Sequence, residues 1–255
     1  MAEAIIRACL SNQTVSADQI SVTDLNETRL QHLSKTYSVQ SGACTEQSLA
    51  AADLIIVAVR PQDNLAELGQ AVQQFAAPHA AVISIVAGVT IEKLAGYFGA
   101  GRPIIRVIPN TLTDTGYGYS GVAMNACASP SQVEEFLLSF GKVLYLEEKL
   151  IDIFTGYGVA GPNYIYYFIE SLADAGVLAG LPREQAWKVA LENMTGAVAM
   201  LQHTGLHPRQ LLDINNSPGG VGIHGLYELN NSDFAAGLQR SVLAAVNRTT
   251  ELGVR

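Results

Sequence analysis

The run Asp53-Leu54-Ile55-Ile56-Val57-Ala58-Val59 decides the fold class of this chain. Residues 54–59 are all apolar, and an unbroken apolar run of this length is typical of a strand that is covered on both faces. Similar runs predict further strands at 19–23, 37–40, 81–86, 103–108, 121–125 and 143–146. Helical patterns separate most of these strands. The alternation predicts βαβ units and a parallel sheet in an α/β domain.

From about residue 150 the pattern becomes helical, and we predict helices at 163–181, 183–204, 208–212, 218–229 and 233–252. Pro182 and Gly205 bracket the second of these in the order expected of a helix start and end. The first helix opens with Tyr164-Ile165-Tyr166-Tyr167-Phe168-Ile169, which is apolar around nearly its whole circumference and so favours a subunit interface. We therefore predict two domains, residues 1–148 and 149–255.

The composition limits the partners of the protein. A hydrophobic fraction of 49% beside 15% charged residues indicates apolar surface buried between subunits, so we expect a homodimer or a higher homo-oligomer. The net charge of -8 argues against a nucleic acid or an anionic membrane surface as partner. The scattered Cys9, Cys44 and Cys127 favour reduced thiols in a cytoplasmic protein over a disulfide framework.

An α/β sheet of this kind commonly begins with a strand and a glycine-rich turn that holds a dinucleotide pyrophosphate at a helix N-terminus. Here residues 1–7 already have a helical pattern, and the next strand ends in Thr23-Asp24-Leu25-Asn26. An acidic residue at that strand end commonly accepts a hydrogen bond from a ribose 2′-hydroxyl. Asp24 is a candidate for this role; the alternative is a helix N-cap or a loop aspartate. Because a carboxylate repels a 2′-phosphate and no arginine directly follows, Asp24 favours NADH over NADPH.

A second candidate site is the segment Ser217-Pro218-Gly219-Gly220-Val221-Gly222. Serine is a favoured N-cap and proline a favoured first helical residue, so the segment predicts a helix start whose amides are left bare by glycine. Such a helix start suits a small carboxylate or phosphate. The alternative is a glycine-rich turn between two helices.

Several ordered segments resemble those of the pyrroline-5-carboxylate reductase family. Residues 52–62, with the order Ala-Asp-Leu-Ile-Ile-Val-Ala-Val-Arg-Pro-Gln, resemble its ADxxxxAVKPQ segment, with Arg60 in place of lysine. Residues 84–91 resemble SxxAGVTI, 106–111 resemble RVMPNTP, and 161–164 resemble GPAY. Segments 172–177, 180–182 and 207–208 also recur in the family. The likeness runs from residue 1 to the C-terminus.

This resemblance implies a Rossmann-like domain, a helical dimerisation and substrate domain, and the reduction of 1-pyrroline-5-carboxylate to L-proline with NAD(P)H. It implies that the carboxylate of the substrate is held by the loop of Ser217, Gly219, Gly220, Val221 and Gly222, with Ser217 as the catalytic residue. Pro109 and Asn110 would lie near the nicotinamide and the substrate. The cofactor would be lined by Ala58, Val59, Arg60, Pro61 and Ala87.

Two departures from the family pattern leave alternatives open. The family begins with a strand and a GxGxMA turn, of which Met1-Ala2 matches only the end, so either translation starts upstream or the protein is a truncated paralogue. Val221 and Gly222 also stand where the family carries threonines, one of which would bond the imine nitrogen. The alternatives are therefore an impaired paralogue with a regulatory or scaffold role, or a reductase of another small cyclic imine.

Two further pairs of polar residues are weaker candidates. Glu170 and Asp174 lie four residues apart on one predicted helix, and we interpret them as interface or capping residues. His203 and His207 have the same spacing, but Gly205 and Pro208 break the helix that would align them. We therefore predict no metal site.

Overall fold

The computed structural model describes residues 1–253 and divides the chain into two compact units. The first unit contains Met1–Ala160 and the end of the chain from Ala245, and the second contains Gly161–Ala244. The predicted division at 148/149 lies inside the first of these units. Residues 149–160 belong to it because Ile151 and Phe154 are buried there.

The seven strands of the first unit form two sheets, one of two strands and one of five. Each strand overlaps a predicted apolar run. They are β1 (Ser21–Val22), β2 (Gln40–Ser41), β3 (Leu54–Val57), β4 (Ala81–Ser84), β5 (Ile104–Pro109), β6 (Tyr119–Met124) and β7 (Lys142–Tyr145). β1 pairs with β2 in parallel, and the larger sheet has the order β3-β4-β5-β6-β7.

One strand pair of the larger sheet departs from the predicted parallel arrangement. β5 and β6 are antiparallel, whereas β3–β4, β4–β5 and β6–β7 are parallel. The reason is the length of the connection. Residues 110–118 join β5 to β6 and form a short 3₁₀ turn, Thr111–Thr115, which is too short for the crossover that parallel neighbours need.

Both faces of the larger sheet are covered at its strands β4 and β5, whose residues are all buried, whereas β3 lies at an edge and leaves Ile56 exposed, so the prediction of a strand covered on both faces is wrong for the run at 54–59. Val82 and Ile104 face one core cluster, which includes Leu94 and Phe98 of a neighbouring helix. Ile83 and Ile105 face the other cluster. The covering helices of this unit are α1 (Ala2–Ser11), α2 (Glu27–Tyr37), α3 (Glu46–Ala50), α4 (Leu65–Phe75), α5 (Ile91–Phe98), α6 (Glu134–Leu138) and α7 (Ile151–Phe154). Mostly parallel strands between two layers of helices make this a Rossmann-like α/β fold.

The remainder of the chain is helical, as predicted. It contains α8 (Gly161–Leu178), α9 (Arg183–Thr204), α10 (Pro208–Asn215), α11 (Val221–Asn230) and α12 (Phe234–Gly253). α9 begins and ends at the predicted residues, and Gly205 follows it with the left-handed φ of +64° that favours glycine at a helix end. The two long helices α8 and α9 pack through Ile169, Ala173 and Ala190.

Many large apolar side chains of the second unit face solvent in the single chain. Examples are Tyr167, Leu178 and Ile214, which are among the most exposed. An apolar face of this size on a folded unit is typical of a protein–protein interface. Among residues 1–253, no helix combines the length and the apolar character that a membrane crossing requires.

Candidate functional site

The carboxyl ends of three neighbouring parallel strands meet at one edge of the larger sheet. β3, β4 and β5 pair in sequence and in parallel, so the residues that follow them share this edge. Among the predicted cofactor and substrate residues, Pro109 ends β5, and the following lie after the three strands: Ala58, Val59, Arg60, Pro61, Ala87 and Asn110. In α/β sheets, ligands bind outside the carboxyl ends of the strands. The fold therefore brings these residues together where a dinucleotide is expected.

Asn110 is the most constrained polar side chain at this edge. It is 5% exposed, and its Oδ1 accepts hydrogen bonds from the backbone N–H groups of Leu112 and Tyr119, each at 3.2 Å. With Oδ1 occupied in this way, Nδ2 becomes a donor of fixed orientation. Within residues 1–253 this Nδ2 has no acceptor. The arrangement holds an amide donor ready for a ligand atom.

Arg106 lies on β5 and is a buried cation that the sequence analysis did not select. The residue is 1% exposed, and its guanidinium contacts Asp152 Oδ1 at 2.8 Å and Glu148 Oε1 at 3.4 Å. Glu148 Oε1 also accepts the backbone N–H of Ile91 at 2.6 Å. Arg106 thus fixes β5 to the segment that follows β7. One signal was available, because a charged residue interrupts the apolar strand Ile104–Pro109.

Arg60, at the family's lysine position, is turned toward its own loop. Its backbone N–H donates to Asp63 Oδ2 at 2.8 Å and its guanidinium to Oδ1 at 3.2 Å. These bonds, the backbone one first, hold the pKa of the Asp63 carboxyl below its usual value. The pair is solvated, so it contributes little to stability, but it shapes the loop after β3.

Asp24 follows β1 and is a loop aspartate. Its Oδ1 accepts the N–H of Asn26 at 2.8 Å, whereas Oδ2 has no partner in the part of the chain that the structure describes. The N-cap of α2 is Asn26, whose Oδ1 accepts from the N–H of Arg29 at 3.2 Å. The N-cap alternative for Asp24 is therefore wrong. One carboxylate oxygen is available to accept a hydrogen bond from a ribose hydroxyl.

The Ser217 segment has a different geometry from the predicted one. Gly220 N–H donates to the carbonyl of Ser217 at 3.0 Å and Gly219 has φ +65°, which together are typical of a type II β-turn with Pro218 at its second position. α11 begins only at Val221, with Gly220 as its N-cap. The prediction of Ser217 as N-cap and Pro218 as the first helical residue is wrong, because proline followed by a left-handed glycine closes a turn first.

Bare amides remain in this turn, although they are fewer than predicted. Gly220 N–H is paired, whereas the N–H groups of Gly219, Val221 and Gly222 have no intramolecular acceptor in residues 1–253. His224 donates from Nδ1 to the carbonyl of Gly220 at 2.9 Å. Val221 is 94% exposed in the single chain. The turn therefore presents donors to whatever covers it.

Two glycines of this turn lie close to polar side chains. A Cβ atom on Gly220 would collide with Ser217 Oγ, and one on Gly222 would collide with Asn216 Oδ1. Both collisions are with side-chain oxygens that stand over bare backbone. The turn is thus a small polar cradle that larger residues would fill.

A cavity in the first unit lies apart from the predicted site residues. A cavity of about 800 Å³ in the first unit is lined by residues including Arg7, Asn12, Asp114 and Lys142, and by none of the predicted site residues. Residues 1–253 contain no group of three or more His, Cys, Asp and Glu side chains that could hold a metal ion.

Comparisons with known proteins show which family the chain resembles. Residues 148–252 match the family model described as pyrroline-5-carboxylate reductase dimerisation, and residues 1–88 match the one described as NADP oxidoreductase, coenzyme F420-dependent. The chain is 35% identical to pyrroline-5-carboxylate reductase of Synechocystis sp., over 99% of this chain and 95% of that one. It is 30% identical to the Escherichia coli enzyme of the same name, over 99% and 94%.

Solved structures give the same result. The Plasmodium falciparum pyrroline carboxylate reductase with NADP bound superposes with a TM-score of 0.85 at 28% identity, covering 98% of this chain and 93% of that one. The pyrroline-5-carboxylate reductase of Coxiella burnetii superposes with a TM-score of 0.87 at 25% identity, covering 98% and 94%.

Proposed function

The chain belongs to the pyrroline-5-carboxylate reductase family, and on that premise we propose that it reduces 1-pyrroline-5-carboxylate to L-proline with NAD(P)H. The single observation that carries the proposal is the likeness to reductases of this name over 99% of the chain. In the reaction the ring C=N bond becomes a C–N bond. The carbon receives a hydride and the nitrogen a proton. The reduced nicotinamide, when bound, supplies the hydride.

The sheet edge is the proposed cofactor site. Ala58, Val59, Arg60, Pro61 and Ala87 would line the dinucleotide, since they follow β3 and β4 where backbone can approach it closely. Asp24 Oδ2 would accept a hydrogen bond from the ribose. These residues fit the group, because the strand ends are parallel neighbours and the free carboxylate oxygen stands at the end of β1.

Pro109 and Asn110 are the proposed contacts to the reacting groups. Asn110 Nδ2 is a donor whose orientation is set before any ligand arrives, so it would position its acceptor without further ordering. Hydride transfer to an imine requires positioning and a protonated nitrogen more than a covalent nucleophile. The oriented amide suits that demand.

The Ser217 turn is the proposed carboxylate site. Gly219, Val221 and Gly222 offer backbone donors, Gly220 keeps the turn closed, and Ser217 supplies a hydroxyl as the proposed catalytic residue. Backbone donors beside a helix start are a common way to bind an anion. They also compensate the net charge of -8, which by itself would repel an anionic substrate.

We further propose a homodimer, or a higher homo-oligomer, formed through the helical half of the chain, residues 149–255, with residues 1–148 as the cofactor half. The exposed apolar side chains of α8 and α10 and the match to the dimerisation model support this assembly. A cytoplasmic location is proposed because the three cysteines are unpaired thiols.

A specific observation favours a second candidate, an impaired paralogue with a regulatory role. Val221 at the start of α11 offers no hydroxyl, so a donor to the imine nitrogen is missing there. Loss of one transition-state hydrogen bond commonly lowers a rate about a hundredfold or more. A slow enzyme that still binds proline fits this candidate.

One experiment separates the two candidates. Oxidation of NADH and NADPH by the purified chain is followed at saturating 1-pyrroline-5-carboxylate, and melting temperatures are measured with each cofactor and with proline. Turnover supports the reductase. Stabilisation by proline without turnover supports the regulatory candidate. The absence of both turnover and stabilisation would contradict both candidates.

A further inference from the structure

Two basic side chains at the start of α2 are held by one carboxylate of α1. Glu3 Oε2 accepts from the guanidinium of Arg29, and Oε1 contacts His32 Nε2 at 3.0 Å and the hydroxyl of Tyr37 at 2.9 Å. Hydrogen bonds from His32, Tyr37 and Arg29 lower the pKa of Glu3 to about 2. The carboxylate is therefore charged at neutral pH, and both of its oxygens are occupied.

Arg29 of this cluster lies close along the chain to the end of β1, where we propose that Asp24 binds the adenosine ribose. Arg29 is in the first turn of α2, five residues after Asp24, and its backbone N–H is capped by Asn26, which also bonds to Asp24. A 2′-phosphate on the ribose needs cations or donors at this place, whereas a 2′-hydroxyl needs an acceptor. Asp24 supplies the acceptor. The nearest guanidinium on α2 is engaged elsewhere.

We propose that Glu3 is a specificity-determining residue, which withholds Arg29 and His32 from a 2′-phosphate and so makes the chain prefer NADH. The inference rests on the proposed function, because it concerns the cofactor of that site. Glu3 acts through Arg29 and His32 and has no contact with the ribose itself. A bidentate or charge-assisted bond to a carboxylate is strong enough to compete with a phosphate for the same guanidinium.

The expected effects distinguish two negative charges, Glu3 of α1 and Glu27 of α2. Glu27 is the first residue of α2 and is exposed, and no hydrogen bond or ion pair ties it to Arg29 or His32. Removal of either negative charge reduces repulsion of a 2′-phosphate in general. Removal of Glu3 alone also frees the guanidinium of Arg29 and the imidazole of His32.

The test measures direct binding of NADH and NADPH by titration calorimetry, together with turnover. The variants are Glu3→Gln, the matched control Glu27→Gln, and the double variant Glu3→Gln/Arg29→Ala. We expect the natural chain to bind NADH about tenfold or more tightly than NADPH. Glu3→Gln should tighten NADPH binding about tenfold and leave NADH within twofold, an effect of the size of one charge-assisted bond.

Three further measurements test whether the effect is specific to Glu3. The gain in NADPH affinity should disappear in the double variant, should fall as salt is raised, and should be small in Glu27→Gln. An equal gain in Glu27→Gln, equal gains for both cofactors, a natural preference for NADPH, or binding of neither cofactor would each overturn the inference. Discriminating binding without turnover would instead refute the proposed reductase activity alone.

Discussion

The end of β5 and the Ser217 turn are both proposed to contact the reactants, yet they are held in different ways. Asn110 is buried, and its Oδ1 accepts two backbone hydrogen bonds. The Ser217 turn is exposed and closed by one internal hydrogen bond, from Gly220 to Ser217. Asn110 is therefore ordered by the core of the first unit, whereas the Ser217 turn is ordered by its own backbone geometry.

This contrast predicts how substitutions in the two regions affect stability and activity. A change on β5 that removes a buried cation or a buried hydrogen-bond acceptor disturbs packing, so it should lower stability. A change in the exposed turn disturbs few contacts, so it should alter ligand binding with little effect on folding. Four variants or conditions test this division, from the largest expected effect to the smallest.

Arg106→Ala should cause the largest loss. The change leaves Glu148 and Asp152 without their cation and opens space in the sheet, and we expect unfolding free energy to fall by about 3 kcal/mol. Urea denaturation followed by circular dichroism measures it. Arg60→Ala removes a solvated pair and serves as the control, with a change of about 0.5 kcal/mol or less. Equal effects of the two substitutions would contradict the role given to burial.

Asn110→Asp should separate structure from catalysis at the end of β5. The carboxylate keeps an acceptor for the N–H groups of Leu112 and Tyr119 but removes the Nδ2 donor. We expect kcat/KM to fall about a hundredfold while the melting temperature changes little. Asn110→Ala, which loses the acceptor too, should lower both. Full activity of Asn110→Asp would exclude the Nδ2 donor from the reaction.

Gly219→Ala should affect the turn with little effect on the fold. A side chain at φ +65° costs about 1–2 kcal/mol, which local rearrangement of the exposed turn relieves at the expense of its geometry. We expect KM for 1-pyrroline-5-carboxylate to rise about tenfold, with cofactor affinity unchanged. Gly205→Ala carries the same strain at φ +64° at the end of α9 and should leave KM unchanged. A rise in KM in both variants would assign the effect to general strain.

Acid should produce the smallest effect, confined to the first unit. The pKa of Glu3 is about 2 in the folded chain, below the ordinary value of 4.5 that it has in the unfolded chain. Its contribution to stability is therefore present above pH 4.5 and is lost as the pH falls toward 2. Glu3→Gln should therefore flatten the dependence of melting temperature on pH in this window. The segment 216–223 has no ionisable side chain, so Gly219→Ala should retain the natural slope. A natural slope in Glu3→Gln would contradict the network.

Much of the fold was predictable because its signals are local. The apolar run at 54–59 predicted the edge strand β3, and the runs at 81–86 and 103–108 predicted β4 and β5, which are buried along their whole length. Pro182 and Gly205 identified the limits of α9 through backbone conformation alone. The antiparallel β5–β6 pair was missed, although the nine residues at 110–118 are too short for a crossover.

For the candidate site, the sequence selected residues but did not give their local geometry. The resemblance selected Pro109, Asn110 and the Ser217 turn, and the parallel strands place Ala58, Ala87 and Asn110 on one edge. The helix start predicted at Ser217 was wrong, because the favoured roles of serine and proline at a helix N-terminus also suit a β-turn. Short-range preferences alone do not distinguish the two.

By itself, the sequence determined the class of fold, the order of its elements and the family, since each of these depends on apolar periodicity or on ordered motifs along the chain. Only the tertiary structure decided that Arg106 pairs with Glu148 and Asp152, that Asn110 presents Nδ2, and that Glu3 holds Arg29 and His32. The physical reason is distance along the chain. Hydrogen bonds and ion pairs act over a few ångströms in space, and their partners here are separated by as many as 46 residues, a separation that local sequence patterns do not encode.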